Sequence, residues 1–279
     1  MIPVAGASCD QGFGARGGVV MAEAFYVPLA EGRFRSTEST QGPWHPEQQH
    51  MGPVTALLAR ELELTAPRPE MSIAQLTVDV LAPVPLAELT VRTEVVRDGK
   101  RVQCLAAEVS GQGRTLVRAR AWRIRESGTE EAATPRRPVP APVEDGLPPG
   151  PSSMFRGFGY AEALEWRFLH GVDSLGPAVA WGRLRGAVVE GEEPSPLQRV
   201  AVFADSGNGI SHTIDFTAYL FVNVDLSISL YRRPEGPWIC LDAATEIGPQ
   251  GRGLTRTGLF DESGEVGVST QTLFVGLRP

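Results

Sequence analysis

Apolar and polar residues alternate singly along most of this chain, and a helical period interrupts the alternation twice. Runs such as Leu76-Thr77-Val78-Asp79-Val80 place every second side chain on one face. That is the period of a strand with one buried and one wet face. Four strands are predicted at about 73–82, 88–97, 101–110 and 114–124, and four more at about 221–231, 237–246, 253–260 and 266–275. One helical segment precedes each set. GPVTALLARELEL puts Leu57, Leu58 and Leu62 on one stripe. PLQRVAVFADSGNG opens on Pro196, suited to a first helical turn, and closes on Gly207 and Gly209, suited to a helix end. A pair of short strands precedes each helix, 25–28 with 32–36 and 165–170 with 178–185. Arg97-Asp98-Gly99-Lys100 and Asp261-Glu262-Ser263-Gly264 suit hairpin turns.

The chain therefore reads as strand–strand–helix–four strands, written twice. Val78-Asp79-Val80 and Val224-Asp225-Leu226 take the same place in the two copies. The fold class is α+β. Each helix needs an apolar surface for its stripe, and a curved antiparallel sheet can wrap it. Two such units side by side can extend one sheet and hide two edges. Between them lies ESGTEEAATPRRPVPAPVEDGLPPGPSS, whose proline and charge suit an extended linker. The expected organisation is a disordered tail at 1–20, a first unit at 21–125, a linker at 126–160 and a second unit at 161–279. Residues 1–20 are rich in Gly and Ala with little pattern, and Met21 is the expected true start, with 1–20 a tail without function.

Composition then removes whole classes of function. The net charge is -7, with no basic footprint, so nucleic acid is not an expected partner. Lys100 is the only lysine, so arginine carries nearly all the positive charge. Cys9, Cys104 and Cys240 show no paired spacing, and an odd number argues against a disulfide framework. No apolar run approaches the ~20 residues of a membrane span. With no charged start and apolar stretch at the N-terminus, a cytoplasmic location is expected. His45, His170 and His212 lack metal-ligand spacing with any carboxylate, so neither metal nor cofactor is expected. There is no GxSxG elbow, Walker motif or GxGxxG loop.

Four segments in order resemble the double-hotdog acyl-CoA thioesterase II family over roughly residues 21–279. They are GPWHPEQQHMGPVTALLAREL at the first helix, QRVAVFADSGNGIS at the second, FVNVDLSISLYRRP in the next strand, and GRGLTRTGLFDESGEVGVSTQTLFV in the final hairpin. The resemblance implies a tandem (double) hotdog, two antiparallel sheets each wrapping a long helix. It implies an acyl-CoA or other acyl-thioester substrate, and pairing into a homodimer. It also implies a site of Asp, Thr and Gln from the second hotdog around one water. Asp205 and Gln271 fall at two of those positions, and Asn223 stands at the position of the Thr. An Asn also hydrogen-bonds a water, with a different donor count.

The chemistry of these residues is consistent with that role. Asp205, flanked by Val202, Phe203 and Ala204, suits a general base for water. Asn223 and Gln271 would orient the carboxylate and the water without competing for the proton. Asp225 is two residues beyond Asn223, on the expected same strand face, and is a weaker rival base. Gly52, beside Pro53 at the start of the first helix, offers an N–H to a developing oxyanion. His50 is a substrate-binding candidate there. Paired with Asp205 across the two units, it would suit a dehydratase or hydratase instead. A non-catalytic acyl-binding protein is a further alternative. The acyl chain is expected between helix and sheet, and the nucleotide end of CoA near Arg199, Arg232 or Arg233.

Overall fold

The computed structural model describes residues 23–150, 153 and 155–278. The expected tail at 1–20 lies outside the described residues. The first unit starts with β1 (Tyr26–Ala30) and β2 (Arg33–Ser36), continues through α1 (Met51–Leu64), and ends with β3 (Met71–Val80), β4 (Glu88–Asp98), β5 (Val102–Gly111) and β6 (Arg114–Arg125). A short α2 (Gly159–Glu162) leads into the second unit, which opens with β7 (Leu164–His170) and β8 (Ala178–Leu184). Next come α3 (Pro196–Ala204), α4 (Gly207–Ile210), β9 (Tyr219–Asn223), β10 (Asp225–Leu230), β11 (Trp238–Ile247), β12 (Arg252–Asp261) and β13 (Gly264–Leu277). The predicted elements are present, with bounds that shift by a few residues.

The two expected sheets are continuous. Among the described residues all strands belong to one 13-stranded sheet, joined where β3 pairs with β10. Thr77 pairs with Ser227 at the junction. The hairpin registers Leu105↔Ala121 and Thr255↔Gln271 superpose under the same displacement along the chain that carries Thr77 onto Ser227. The pseudo-twofold axis thus passes through that pair. It also corrects a detail of the repeat. Asp79 and Asp225 do not occupy equivalent places. They face each other across the junction.

Both helices lie against the sheet and against each other. Leu57, Leu58 and Leu62 of α1 and Val200 and Phe203 of α3 are fully buried in one common core. At ~1.5–3 kcal/mol for each fully buried large apolar side chain, this stripe holds the helices in place. The segment 126–150 carries two short 3₁₀ turns, Glu130–Ala132 and Val143–Asp145, and lies along the second unit. Trp181 Nε1 donates to the Ala141 carbonyl at 3.0 Å, and Glu265 N donates to the Arg137 carbonyl at 2.9 Å.

Two breaks depart from the predicted elements, and both shape the site. The second helix stops at Ala204 instead of running on to Gly209, and one further turn follows as α4. Ser206 N bonds back to the Phe203 carbonyl at 2.8 Å, tightening the last turn and separating α3 from α4. The strand expected at 221–231 is likewise divided. Asn223 pairs with Leu273, while Ser227 pairs with Thr270, so one extra residue sits on the β9–β10 side. This is a β-bulge at Val224, which bends the strand and re-aims its side chains.

Candidate active site

The antiparallel packing of α1 and α3 brings the C-terminal end of one helix to the N-terminal end of the other. His50 is the N-cap of α1, and Asp205 the C-cap of α3. His50 Nδ1 lies 3.0 Å from Asp205 Oδ2. The bulge turns Asn223 inward, so that its Nδ2 donates to Asp205 Oδ1 at 2.9 Å. Gln271 comes from β13, its side chain fully buried. Its Nε2 donates to the Asp205 backbone carbonyl at 3.1 Å, with Oδ1 at 3.5 Å. Its Oε1 accepts from Asn208 N at 3.1 Å. The Asp205 carboxylate, in a residue 3 % exposed, is thus bounded by two side-chain amides and one imidazole.

Asp225 does not share this place. The bulge breaks the alternation that would have put it beside Asn223. Its Oδ1 accepts from Thr272 N at 2.7 Å, filling a gap in the ladder. The rival base is thereby tied to the backbone.

One nitrogen has two claimants of opposite kind. His50 Nδ1 is 3.0 Å from Gly52 N, a donor, and 3.0 Å from the Asp205 carboxylate, an acceptor. It cannot serve both with one lone pair or one proton. An ionised Asp205 requires the proton on Nδ1, and the Gly52 N–H is then free for another acceptor. Gly52 also has a packing role. A Cβ there would overlap the Val202 carbonyl oxygen of α3 and meet Tyr160 Oη at 3.0 Å. Glycine lets the two helices approach.

Tyr160, Ser206 and Asn208 were not singled out from the sequence. The Tyr160 ring stacks on the His50 ring at 3.8 Å between centroids and 10° between planes. Its hydroxyl donates to the Val202 carbonyl at 2.7 Å and so accepts from Ser206 Oγ at 2.8 Å. Burial pushes the phenol well above its ordinary range, which keeps that donor proton in place. Tyr160 sits at the end of the stretch read as linker, where no periodic signal marks it. Asn208 lay in a run read only as a helix end.

The remaining candidates lie elsewhere. A groove of about 900 Å³ opens at the opposite end of the helices, lined by Glu63, Pro67, Pro196, Arg232 and Arg233 among others. The 14 residues of α1 span about 21 Å between that end and His50. Arg232 is held by the fully buried Asp261, with Nη1 to Oδ2 at 2.6 Å. Arg233 pairs with Glu126, and Arg199 pairs with Glu193 at 2.8 Å. These arginines are committed to carboxylates at the end of the helices away from Asp205. His45 and His212 make local backbone bonds, to Glu47 N and the Gly209 carbonyl. Among the described residues no group of three His, Cys, Asp or Glu is placed to hold a metal ion. None of the described helices is long and apolar enough to cross a membrane.

Comparison with known proteins matches both halves of the chain. Residues 40–124 match the acyl-CoA thioesterase N-terminal domain, and residues 135–275 match the acyl-CoA thioesterase C-terminal domain. A candidate thioesterase II from Thermobifida fusca superposes with a TM-score of 0.74 at 16% identity, covering 93% of this chain and 100% of that one. A hot dog fold protein of unknown function from Alicyclobacillus acidocaldarius gives 0.70 at 14% identity, covering 90% and 96%. An acyl-CoA thioesterase II from Mycobacterium marinum gives 0.62 at 15% identity, covering 91% and 95%. At such identities these likenesses concern the fold. No curated protein matches the chain. The two domain matches, in order along one continuous double-hotdog sheet, place this chain in the acyl-CoA thioesterase family.

Proposed function

We propose that the protein hydrolyses acyl-CoA, or another acyl thioester, with Asp205 as general base and Asn223 and Gln271 as the residues that orient it and its water. The supporting observation is the meeting of the three side chains, with Asn223 Nδ2 at 2.9 Å and Gln271 Nε2 at 3.5 Å from Asp205 Oδ1. A water between carboxylate and thioester gives its proton to Asp205 as its oxygen bonds to the carbonyl carbon. The carbonyl oxygen becomes an oxyanion, for which Gly52 N–H is the donor. Collapse breaks the carbon–sulfur bond, and the proton leaves Asp205 for the thiolate. His50 keeps its Nδ1 proton toward Asp205 throughout, so it fixes the carboxylate and leaves the Gly52 N–H unoccupied. Asn223 fills the Thr role as a donor to the carboxylate, which an amide nitrogen performs as a hydroxyl does.

The dehydratase alternative would need His50 and Asp205 to act on two different substrate carbons. Their direct contact at 3.0 Å supports the hydrolase reading over it. The test is thiol release from an acyl-CoA panel by wild-type and Asp205→Asn protein. The expected result is release by the wild type and a loss of at least about 10²-fold in kcat in the variant. An Asp205→Asn protein with unchanged rate would remove Asp205 as base. Enoyl product, or binding without thiol release, would support the alternatives.

A further inference from the structure

The inner faces of the two units differ where the pseudo-twofold axis would make them alike. The β5–β6 hairpin of the first unit presents Leu105 opposite Ala121 and Ala107 opposite Ala119. At the equivalent places the β12–β13 hairpin presents Thr255 opposite Gln271 and Thr257 opposite Ser269. All eight residues are buried. The apolar α1 covers the first hairpin, whereas the second is covered by α3 and by the α4 turn, whose Gly207 packs against Thr255 and Thr257.

Part of this polar strip is satisfied internally. Thr255 Oγ1 bonds Thr245 Oγ1 at 2.7 Å, and Thr245 bonds Ser211 Oγ at 2.7 Å. Thr257 Oγ1 and Ser269 Oγ are not satisfied. They are two of the three buried side-chain polar atoms without a partner among the described residues. Buried hydroxyls without partners are costly, and each calls for an explanation. Both lie by the site. A Cβ on Gly207, two residues after Asp205, would overlap Thr257 Oγ1 and reach Gln271 Oε1 at 3.0 Å. Ser269 shares its strand face with Gln271, about 7 Å along β13.

From this placement, and resting on the reading of Asp205 as base, we infer that Thr257 and Ser269 determine specificity, selecting a short acyl group that carries a further oxygen (a hydroxyl or an oxo group) over a plain alkyl chain. An acyl group directed past Gln271 along the inner face meets the two hydroxyls. A hydroxyl or oxo oxygen gives them partners. A methylene chain would bury them unpaired, and a site built to hydrogen-bond an oxygen discriminates against the analogue lacking it. The large groove gives a long chain no room here, because it opens at the far end of the helices.

The test compares CoA thioesters of equal carbon number, butyryl with 3-hydroxybutyryl and 4-hydroxybutyryl and with acetoacetyl, and adds palmitoyl-CoA. Thiol release is measured with the wild type, and binding to Asp205→Asn is measured by calorimetry. The expected result is a preference of about ten-fold or more for an oxygenated member, in kcat/KM and in affinity. In Thr257→Val with Ser269→Ala the ratio should fall toward unity. The ligand-free variant should be as stable to urea as the wild type or more so, because it loses unpaired hydroxyls. Equal use of each pair, a preference for palmitoyl-CoA, or a ratio that survives in the double variant would overturn the inference. A wild type that releases no thiol from any thioester would instead overturn the hydrolase reading, and the affinity ratio would still decide the specificity.

Discussion

Replacing Gln271 by Leu separates the orienting role of this side chain from simple packing. Leucine nearly fills the same volume, so the main loss is hydrogen bonding. Two buried backbone groups lose their partner, the Asn208 N–H at 3.1 Å and the Asp205 carbonyl at 3.1 Å. Each buried group left unpaired costs about 1–3 kcal/mol, so the variant should lose about 2–6 kcal/mol of folding stability. At about 2–4 °C per kcal/mol in a chain of this size, Tm should fall by roughly 10 °C. The same bonds hold the turn from Asp205 to Asn208, and a displacement of the carboxylate by about 1 Å costs about 10²-fold in kcat. Gln271→Glu keeps the acceptor for Asn208 N but loses the donor, and sets a carboxylate against Asp205. It should lose both activity and stability at neutral pH, with the stability loss easing as pH falls and a carboxylate is protonated. Urea titration and thiol release are measured together on both variants. A Leu variant within about 1 kcal/mol of the wild type and at full kcat would refute the orienting role.

Two further outcomes follow from the packing of the helices. Gly52→Ala should cost about 1–3 kcal/mol, because the added methyl group overlaps the Val202 carbonyl and forces α1 from α3. An alanine variant with the wild-type urea midpoint would contradict that close approach. At the other end, burial raises the Glu63 carboxyl, against the opposing hydrogen bonds from Ser195 and Gln198. A raised folded value favours the protonated form, so its contribution is complete below about pH 4.3 and is lost as pH rises through the folded value. Glu63→Gln should therefore be more stable than wild type at pH 7, with the difference closing toward pH 4. Urea midpoints that stay parallel across that range would refute the assignment.

The strand and helix periods of both units were readable because one face of each element is buried and the other is wet. The hairpin turns and the helix start at Pro196 are local chemistry, and local chemistry is visible in local sequence. Asp205, Asn223 and Gln271 were picked out by resemblance in segments far apart along the chain, and the side chains of Asn223 and Gln271 both lie within hydrogen-bond reach of Asp205. The face of Asp225 was misread, because alternation presumes an unbroken strand and the bulge at Val224 leaves no mark in the period. Tyr160 was missed because its importance lies in stacking on His50, and nothing near position 160 records that contact.

By itself the sequence determined the α+β class, the order of elements and the doubling of the unit, since each follows from where apolar side chains recur. Only the tertiary structure decided that the two sheets join at Thr77 and Ser227, that His50 of one unit meets Asp205 of the other, and that Thr257 and Ser269 stand buried without partners. The physical reason is range. Periodicity reports which way a side chain points from its own backbone, whereas a site depends on which distant backbone it points toward, and that is set by the packing of two helices and one bulge.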